Sequence, residues 1–144
     1  MKKELIKSPM NYVGGKYKLL PQILPLFPKD INTFVDLFCG GFNVGVNIEA
    51  NKIIGNDLCK EIIEVYKGIQ KEGLENSLNL IKNEINKYDL SKTNEEGFKQ
   101  IRSFYNEGNK EWYIFYAMLT HAFNYQIRFN KKGEYNMPFG RNKS

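Results

Sequence analysis

Apolar positions change their period along this chain, and each change marks an element. "TFVDLF" (residues 33–38) is a short run of mostly β-branched and aromatic residues, closed by Cys39-Gly40-Gly41. Such a run predicts a short buried strand. "FNVGVNIEA" (42–50) follows with helix-like spacing, weakened by Gly45. "KIIGND" (52–57) reads as a second strand. In "LCKEIIEVYKGIQ" (58–70) the apolar residues fall at 58, 62, 65, 66 and 69, one face of a helix, with Asp57 in cap position before it. Strand–helix–strand–helix is how a parallel α/β sheet begins.

From residue 71 the period is helical. Leu74, Leu78, Ile81, Ile85 and Tyr88 form a stripe with spacings of 4, 3, 4 and 3. "LSKTNEEG" is a polar loop, and Phe98, Ile101, Phe104 and Tyr105 suggest a further helix. "EWYIFYAMLTHAF" (111–123) is apolar nearly all round, which predicts a buried helix. "YQIRFN" and "EYNMPF" then flank Lys131-Lys132-Gly133, the pattern of a β-hairpin. The expected organisation is therefore an α/β part over residues 1–70 and a helical part ending in a hairpin over 71–144.

With 144 residues, 42% of them hydrophobic, the chain is long enough to bury a core. No apolar run approaches the roughly 18 residues of a membrane span, and "MKKELIKSPM" lacks the apolar stretch of a signal peptide. A cytoplasmic protein is expected. Cys39, Cys59 and the single His121 cannot build a standard structural zinc site, so small, buried, reduced cysteines and no metal are expected. The charge is uneven: +4 over residues 1–30, −3 over 31–124 and +4 over 125–144. Two basic ends that met in space would attract phosphate.

Three segments carry candidate chemistry. In "NYVGGKYKLL" (11–20), Gly14-Gly15 lets backbone approach a ligand while Lys16 supplies charge, although the same residues also make an ordinary turn. In "VDLFCGGFNVGVNIEANKIIGND" (35–57), a strand feeds a glycine turn and Asp57 stands 21 residues after Asp36. An acid there can accept from both hydroxyls of a ribose, or merely cap the next helix. Glycines at 40, 41 and 45 do not make G-x-G-x-x-G, which disfavours NAD and allows S-adenosylmethionine. The third, "NYQIRFNKKGEYNMPFGRNK" (124–143), interleaves Arg128, Lys131, Lys132, Arg141 and Lys143 with aromatics and amides. Arg, Asn and Gln make two-point contacts to base edges in a major groove, which admits a β-ribbon; an ordinary exposed hairpin has a similar composition.

In this order the segments resemble Dam-type adenine-specific DNA methyltransferases. "NYVGGKYKLLPQI" resembles that family's first cofactor motif, "FVDLFCGGFNVGVNI" its strand-and-glycine motif, "IIGNDLCKEIIEVYKGI" its acidic motif and "FNYQIRFNKKGEYNMPFGR" its DNA-reading hairpin. The resemblance runs from about Ser8 to Lys143. It implies an incomplete Rossmann-like, S-adenosylmethionine-dependent methyltransferase sheet followed by a helical target-recognition region with a β-hairpin. It also implies methyl transfer to the exocyclic nitrogen of adenine in double-stranded DNA. By that resemblance, Tyr12, Gly14, Gly15 and Lys16 lie against the cofactor, with Lys16 near its carboxylate. Phe38, Cys39 and Gly40 line its methionine side, and Asp57 holds the ribose hydroxyls. Asn124, Gln126, Arg128 and Pro138 match positions that meet or enter the DNA helix, and Arg141 matches a phosphate contact.

The chain departs from the family pattern in two ways. Asn11 and Tyr12 stand where better-known members have a basic residue and a tryptophan, and Gln126 replaces an apolar base-reading residue. The recognition sequence is thus open, and one other than GATC fits these residues. The family's catalytic Asp-Pro-Pro-Tyr is also absent: the five prolines are 9, 21, 25, 28 and 138, and none follows Asp or Asn. No catalytic residue is therefore expected in this chain, which reads as a fragment or as one part of a split enzyme. A cognate restriction endonuclease is a natural partner of such a protein. A non-catalytic DNA-binding module and a Rossmann-type enzyme of small molecules are the competing functions. An incomplete parallel sheet leaves an apolar edge and face, so self-association, or folding mainly through the helical region, is expected.

Overall fold

The computed structural model describes residues 4–141. Thr33–Asp36 (β1) and Lys52–Gly55 (β2) pair in parallel, with Thr33 opposite Lys52 and Asp36 opposite Gly55. Both strands are shorter than the sequence predicts. Hydrogen bonding between the two chains nonetheless continues past them: Asn56 N–H donates to the Asp36 carbonyl (2.9 Å) and Cys39 N–H to the Asn56 carbonyl (2.8 Å). Residues 37–38 form a turn rather than more strand. The fold is mixed, with a two-stranded parallel sheet and several helices.

The chain forms two compact units, one up to Ile63 and one from Glu64. In the first, the 3-10 turn Tyr17–Leu19, the one-turn helix Leu20–Ile23 (α1) and the 3-10 turn Leu24–Leu26 precede β1. Pro21 and Pro25 sit in the first turns of the last two, where a missing N–H leaves no bond unmade. The helix predicted over 42–50 does not form. That stretch is a series of turns, with Val46 N–H donating to the Phe42 carbonyl and Ile48 N–H to that of Val44. Phe42 has φ of +56°, outside the helical region, and its ring fills the space beside Gly45, where a Cβ would lie 2.1 Å from it.

The long helix Lys60–Lys87 (α2) joins the two helical stripes read separately in the sequence. Gly73, at φ 74° and ψ 171°, breaks it between them. Beyond the break Ile81 is buried, but Leu74 and Leu78 are exposed, so only part of that stripe meets a core. Glu95–Asn106 (α3) starts on Asn94, whose side chain accepts from Gly97 N–H at 3.0 Å, with Glu95 and Glu96 in the positive first turn. Trp112–Leu119 (α4) is shorter than the apolar run that predicts it and buries Ile114, Phe115, Ala117, Met118 and Leu119. Gly68 of α2 exists for this packing: a Cβ there would lie 2.3 Å from the indole nitrogen of Trp112.

The hairpin forms as single antiparallel bridges, Phe129 to Tyr135 and Ala122 to Phe139, rather than as regular strands. Asn130 closes its turn, accepting from Lys132 and Glu134 N–H on its side chain, while Gly133 takes φ of +75°. Asn106 of α3 pairs with both backbone groups of Tyr135, at 2.8 and 3.0 Å, as a neighbouring strand would. Phe115 packs against Tyr105, Phe129 and Tyr135, so the hairpin is anchored in the aromatic core of its unit. Among the described residues, no helix is long and apolar enough to cross a membrane.

Candidate cofactor pocket and nucleic-acid interface

In the first unit, residues that the sequence separates by two dozen positions line one pocket of about 320 Å³. Its wall holds Tyr12, Gly14, Gly15 and Lys16 from one loop and Phe38, Cys39 and Gly40 from the turn after β1. Seven of the eight predicted cofactor residues are thus brought together. The eighth, Asp57, is not in that wall. It reaches the pocket through one bond: its Oδ2 accepts from Gly40 N–H at 2.8 Å. Its Oδ1 accepts from Cys59 N–H at 2.9 Å, ahead of α2, so the helix-entry role is real as well. A carboxylate has about four acceptor sites, so two bonds leave capacity for hydroxyl donors.

Gly40 shows why the turn is built from glycine. Its φ is +48°, and a Cβ would stand 2.8 Å from the Tyr12 ring. Tyr12 therefore lies flush on the glycine turn. Burial first, and then the nearby Cys59, Asp57 and Cys39, push its phenol upward, keeping it a neutral hydrogen-bond donor. Burial likewise pushes the Cys39 and Cys59 thiols up to about 11, so both stay protonated. Both are free; Cys39 is buried, whereas Cys59 is only half-buried, against the expectation that both would be buried. Lys16 Nζ donates to the Gly14 carbonyl at 2.6 Å, which holds the ammonium over its own loop.

Five wall residues, Val13, Asp36, Gly41, Asn43 and Val44, were not named as site residues from sequence. Asp36, at the end of β1, accepts from Gly45 N–H at 3.3 Å. Burial, and secondarily the Asp57 charge, raise its pKa against that bond. Asn43 is buried and accepts from Ser8 N–H at 3.0 Å. An acid at a strand end before a glycine turn was a signal for Asp36; nothing local marked Asn43.

In the second unit the predicted DNA residues lie along the hairpin and the chain leading into it. Asn124 and Tyr125 both take left-handed backbone (φ 51° and 53°) and are exposed. Single left-handed residues held by their surroundings concentrate at functional sites. Asn124 and Arg141 share the wall of a pocket of about 280 Å³ with Lys92 and His121, whereas Gln126, Arg128 and Pro138 lie outside it. The Gln126 carbonyl accepts from the Tyr135 hydroxyl at 2.7 Å, and that of Pro138 from Phe123 N–H at 2.9 Å. Burial drives the Tyr135 phenol upward, so it remains a donor. Arg128 grips Asn136 twice, at 2.8 Å to its side chain and 3.0 Å to its carbonyl. Arg141 donates to Glu95 at 2.6 Å. Both guanidiniums are thus exposed and oriented by intramolecular acceptors.

The model of the D12 class N6 adenine-specific DNA methyltransferases matches residues 12–144, and the chain belongs to that family. It is 54% identical over 139 residues to Type II methyltransferase M.FokI of Planomicrobium okeanokoites, covering 96% of this chain and 21% of that protein. To modification methylase StsI of Streptococcus sanguinis it is 50% identical over 142 residues, 99% of this chain and 22% of the relative. To the DNA adenine methylase of Salmonella typhi it is 27% identical over 140 residues, 93% of this chain and 48% of the relative. The chain therefore spans between a fifth and half of the length of these relatives. The family resemblance read from the four motifs holds.

Proposed function

We propose that this chain supplies the cofactor pocket and the target-reading surface of an S-adenosylmethionine-dependent DNA methyltransferase acting on adenine N6. The observation that carries the reading is the first-unit pocket, where a glycine turn, the Tyr12–Lys16 loop and a turn pinned by Asp57 converge. The pocket volume is at the low end of the roughly 300–1,000 Å³ of small-molecule sites. Two features fit an adenosyl cofactor: a cradle at Gly40 that a side chain would fill, and spare acceptor capacity on Asp57 for ribose hydroxyls. When bound, the cofactor supplies a methyl group on a positively charged sulfur. Lys16 then faces its carboxylate, Phe38, Cys39 and Gly40 flank its methionine side, and Cys39 stays protonated beside it.

Residues 1–70 are assigned to a Rossmann-like catalytic domain and 71–144 to target recognition. Asn124, Gln126 and Arg128 meet base edges, Pro138 enters the helix and Arg141 meets a phosphate. Adenine would be turned out of the stack for reaction, since its amino group is out of reach inside a duplex. The groups that would hydrogen-bond its amino group and stack on the base belong to the Asp-Pro-Pro-Tyr motif, which this sequence does not contain. A cognate endonuclease fits a protein whose relatives include a modification methylase. The exposed Arg128 and Arg141 of the hairpin also fit a second reading, a non-catalytic DNA-binding fragment or partner subunit. The test is to read the gene past Ser144 and assay its product for transfer of labelled methyl from S-adenosylmethionine to duplex DNA. Asp-Pro-Pro-Tyr followed by N6-methyladenine in the digest supports the first reading. A stop codon with no transfer supports the second.

A further inference from the structure

Ahead of the cofactor loop runs an extended segment, residues 4–8, with no secondary structure of its own. Its backbone is held by the side chains of two asparagines one helical turn apart in the stretch after the glycine turn. Asn47 takes Ile6 on both sides: its Oδ1 accepts from Ile6 N–H at 2.8 Å and its Nδ2 donates to the Ile6 carbonyl at 2.7 Å. The same Nδ2 donates to the Asn43 carbonyl at 2.8 Å, tying the two asparagines together. Asn43 Oδ1 accepts from Ser8 N–H at 3.0 Å. Asn47 thus imitates a neighbouring strand for Ile6, and Asn43 extends the pairing by one alternate residue, the spacing of a strand.

This clasp bears on the pocket through the next few residues. Ser8 Oγ accepts from Met10 N–H at 3.0 Å, and Met10 is buried. The Met10 carbonyl lies 2.9 Å from where a Cβ of Gly41 would be. Two residues on, Tyr12 covers Gly40, and its carbonyl accepts from Gly15 N–H at 3.1 Å. Asn43 Nδ2 sits 3.4 Å from the Cβ position of Gly15 and 3.3 Å from that of Gly41, between the two loops that make the pocket wall.

We propose that Asn43 and Asn47 are positioning residues for the cofactor: they fasten residues 6–8 so that Tyr12–Lys16 lies across the glycine turn. The inference rests on the cofactor reading above, but the clasp itself does not. Without the clasp, the Tyr12–Lys16 loop is ordered only when ligand binds, and binding bears that entropy cost.

The test combines amide hydrogen exchange with calorimetric titration of S-adenosylmethionine, on this chain and on Asn47→Ala and Asn47→Asp. Asn47 is chosen because it is less buried than Asn43. Asn47→Ala is expected to speed exchange at Ile6 and Ser8 and to weaken cofactor affinity roughly tenfold, the equivalent of about 1.4 kcal/mol. Asn47→Asp keeps the acceptor for Ile6 N–H but turns a carboxylate oxygen toward the Ile6 and Asn43 carbonyls in place of a donor, so its affinity is expected to fall at least as far as that of Asn47→Ala. Duplex affinity, read by the other unit, is expected to stay unchanged. Unchanged exchange at Ile6 and Ser8 in Asn47→Ala would refute the clasp. Faster exchange with full cofactor affinity would refute its positioning role and leave the cofactor reading intact. A wild-type chain that ignores S-adenosylmethionine would overturn the cofactor reading and this proposal together, even if the amides respond.

Discussion

Asp57 holds two backbone amides with one carboxylate, Gly40 on the pocket side and Cys59 on the helix side. Replacing it by alanine therefore loosens the glycine turn as well as removing the proposed ribose acceptor. Gly40 is a sharper probe of the pocket wall. Gly40→Ala places a methyl into the Tyr12 ring and strains a left-handed backbone, an effect of about 1 kcal/mol or more. Calorimetry is expected to find weaker cofactor binding and a lower melting temperature together. Arg141 is the informative residue of the hairpin, because Glu95 holds the guanidinium that is assigned to a DNA phosphate. Arg141 first, and then Lys99, keep the Glu95 carboxyl below the usual glutamate range. The pair therefore contributes above that range and is lost as pH falls through the lowered value, with a small effect because both groups are exposed. Glu95→Gln frees Arg141 and is expected to tighten duplex binding a few-fold in titrations at low salt, as removal of a competing anion should. Unchanged or weaker binding would take Arg141 off the phosphate contact.

At the level of elements, the hairpin is held by backbone bonds between its arms, such as Asn136 N–H to the Arg128 carbonyl and Asn130 N–H to that of Glu134, and by α3. From α3, Asn106 makes two bonds to the Tyr135 backbone and Arg102 donates to the Met137 carbonyl. Asn106→Ala leaves the Tyr135 N–H and carbonyl without those partners, at a cost of about 1–3 kcal/mol. The melting temperature is expected to fall by several degrees, with faster amide exchange along 129–136. Most elements were legible in the sequence because their signals are local. β1 and β2 announce themselves by apolar runs, α3 by its stripe and the hairpin by Lys-Lys-Gly between alternating arms. The failures have tertiary causes. Residues 42–50 carry a helical period but fold as turns, because Phe42 takes a left-handed backbone and packs its ring on Gly45 and Gly55. The two helical stripes on either side of residue 71 were legible as well, since the non-helical Gly73 interrupts α2 between them. Of the pocket, the glycines, Tyr12 and Lys16 were legible as a motif. Asn43 was not, because its role depends on a segment 35 residues away.

Across the whole molecule, one group of the exposed apolar residues lies on the first unit's sheet and its turn. Val35, Leu37, Ile53 and Ile54 are exposed, and Phe38 is 84% exposed. A two-stranded parallel sheet with this much exposed apolar side-chain surface is unusual, because parallel sheets are normally buried. Analytical ultracentrifugation is expected to detect concentration-dependent self-association of this chain, relieved by Phe38→Ser with Ile54→Thr. A monodisperse monomer at high concentration would contradict that expectation. The two proposed sites also predict two separable ligands. Cofactor binding should be nearly indifferent to salt, while duplex affinity should fall steeply with it.

The first-unit pocket is tested most directly by isothermal titration of this chain with S-adenosylmethionine beside its Asp57→Ala variant. One site per chain is expected in the wild type and at least a tenfold weaker one in the variant, about 1.4 kcal/mol or more. Binding of equal strength in both, or none in the wild type, would contradict the cofactor reading.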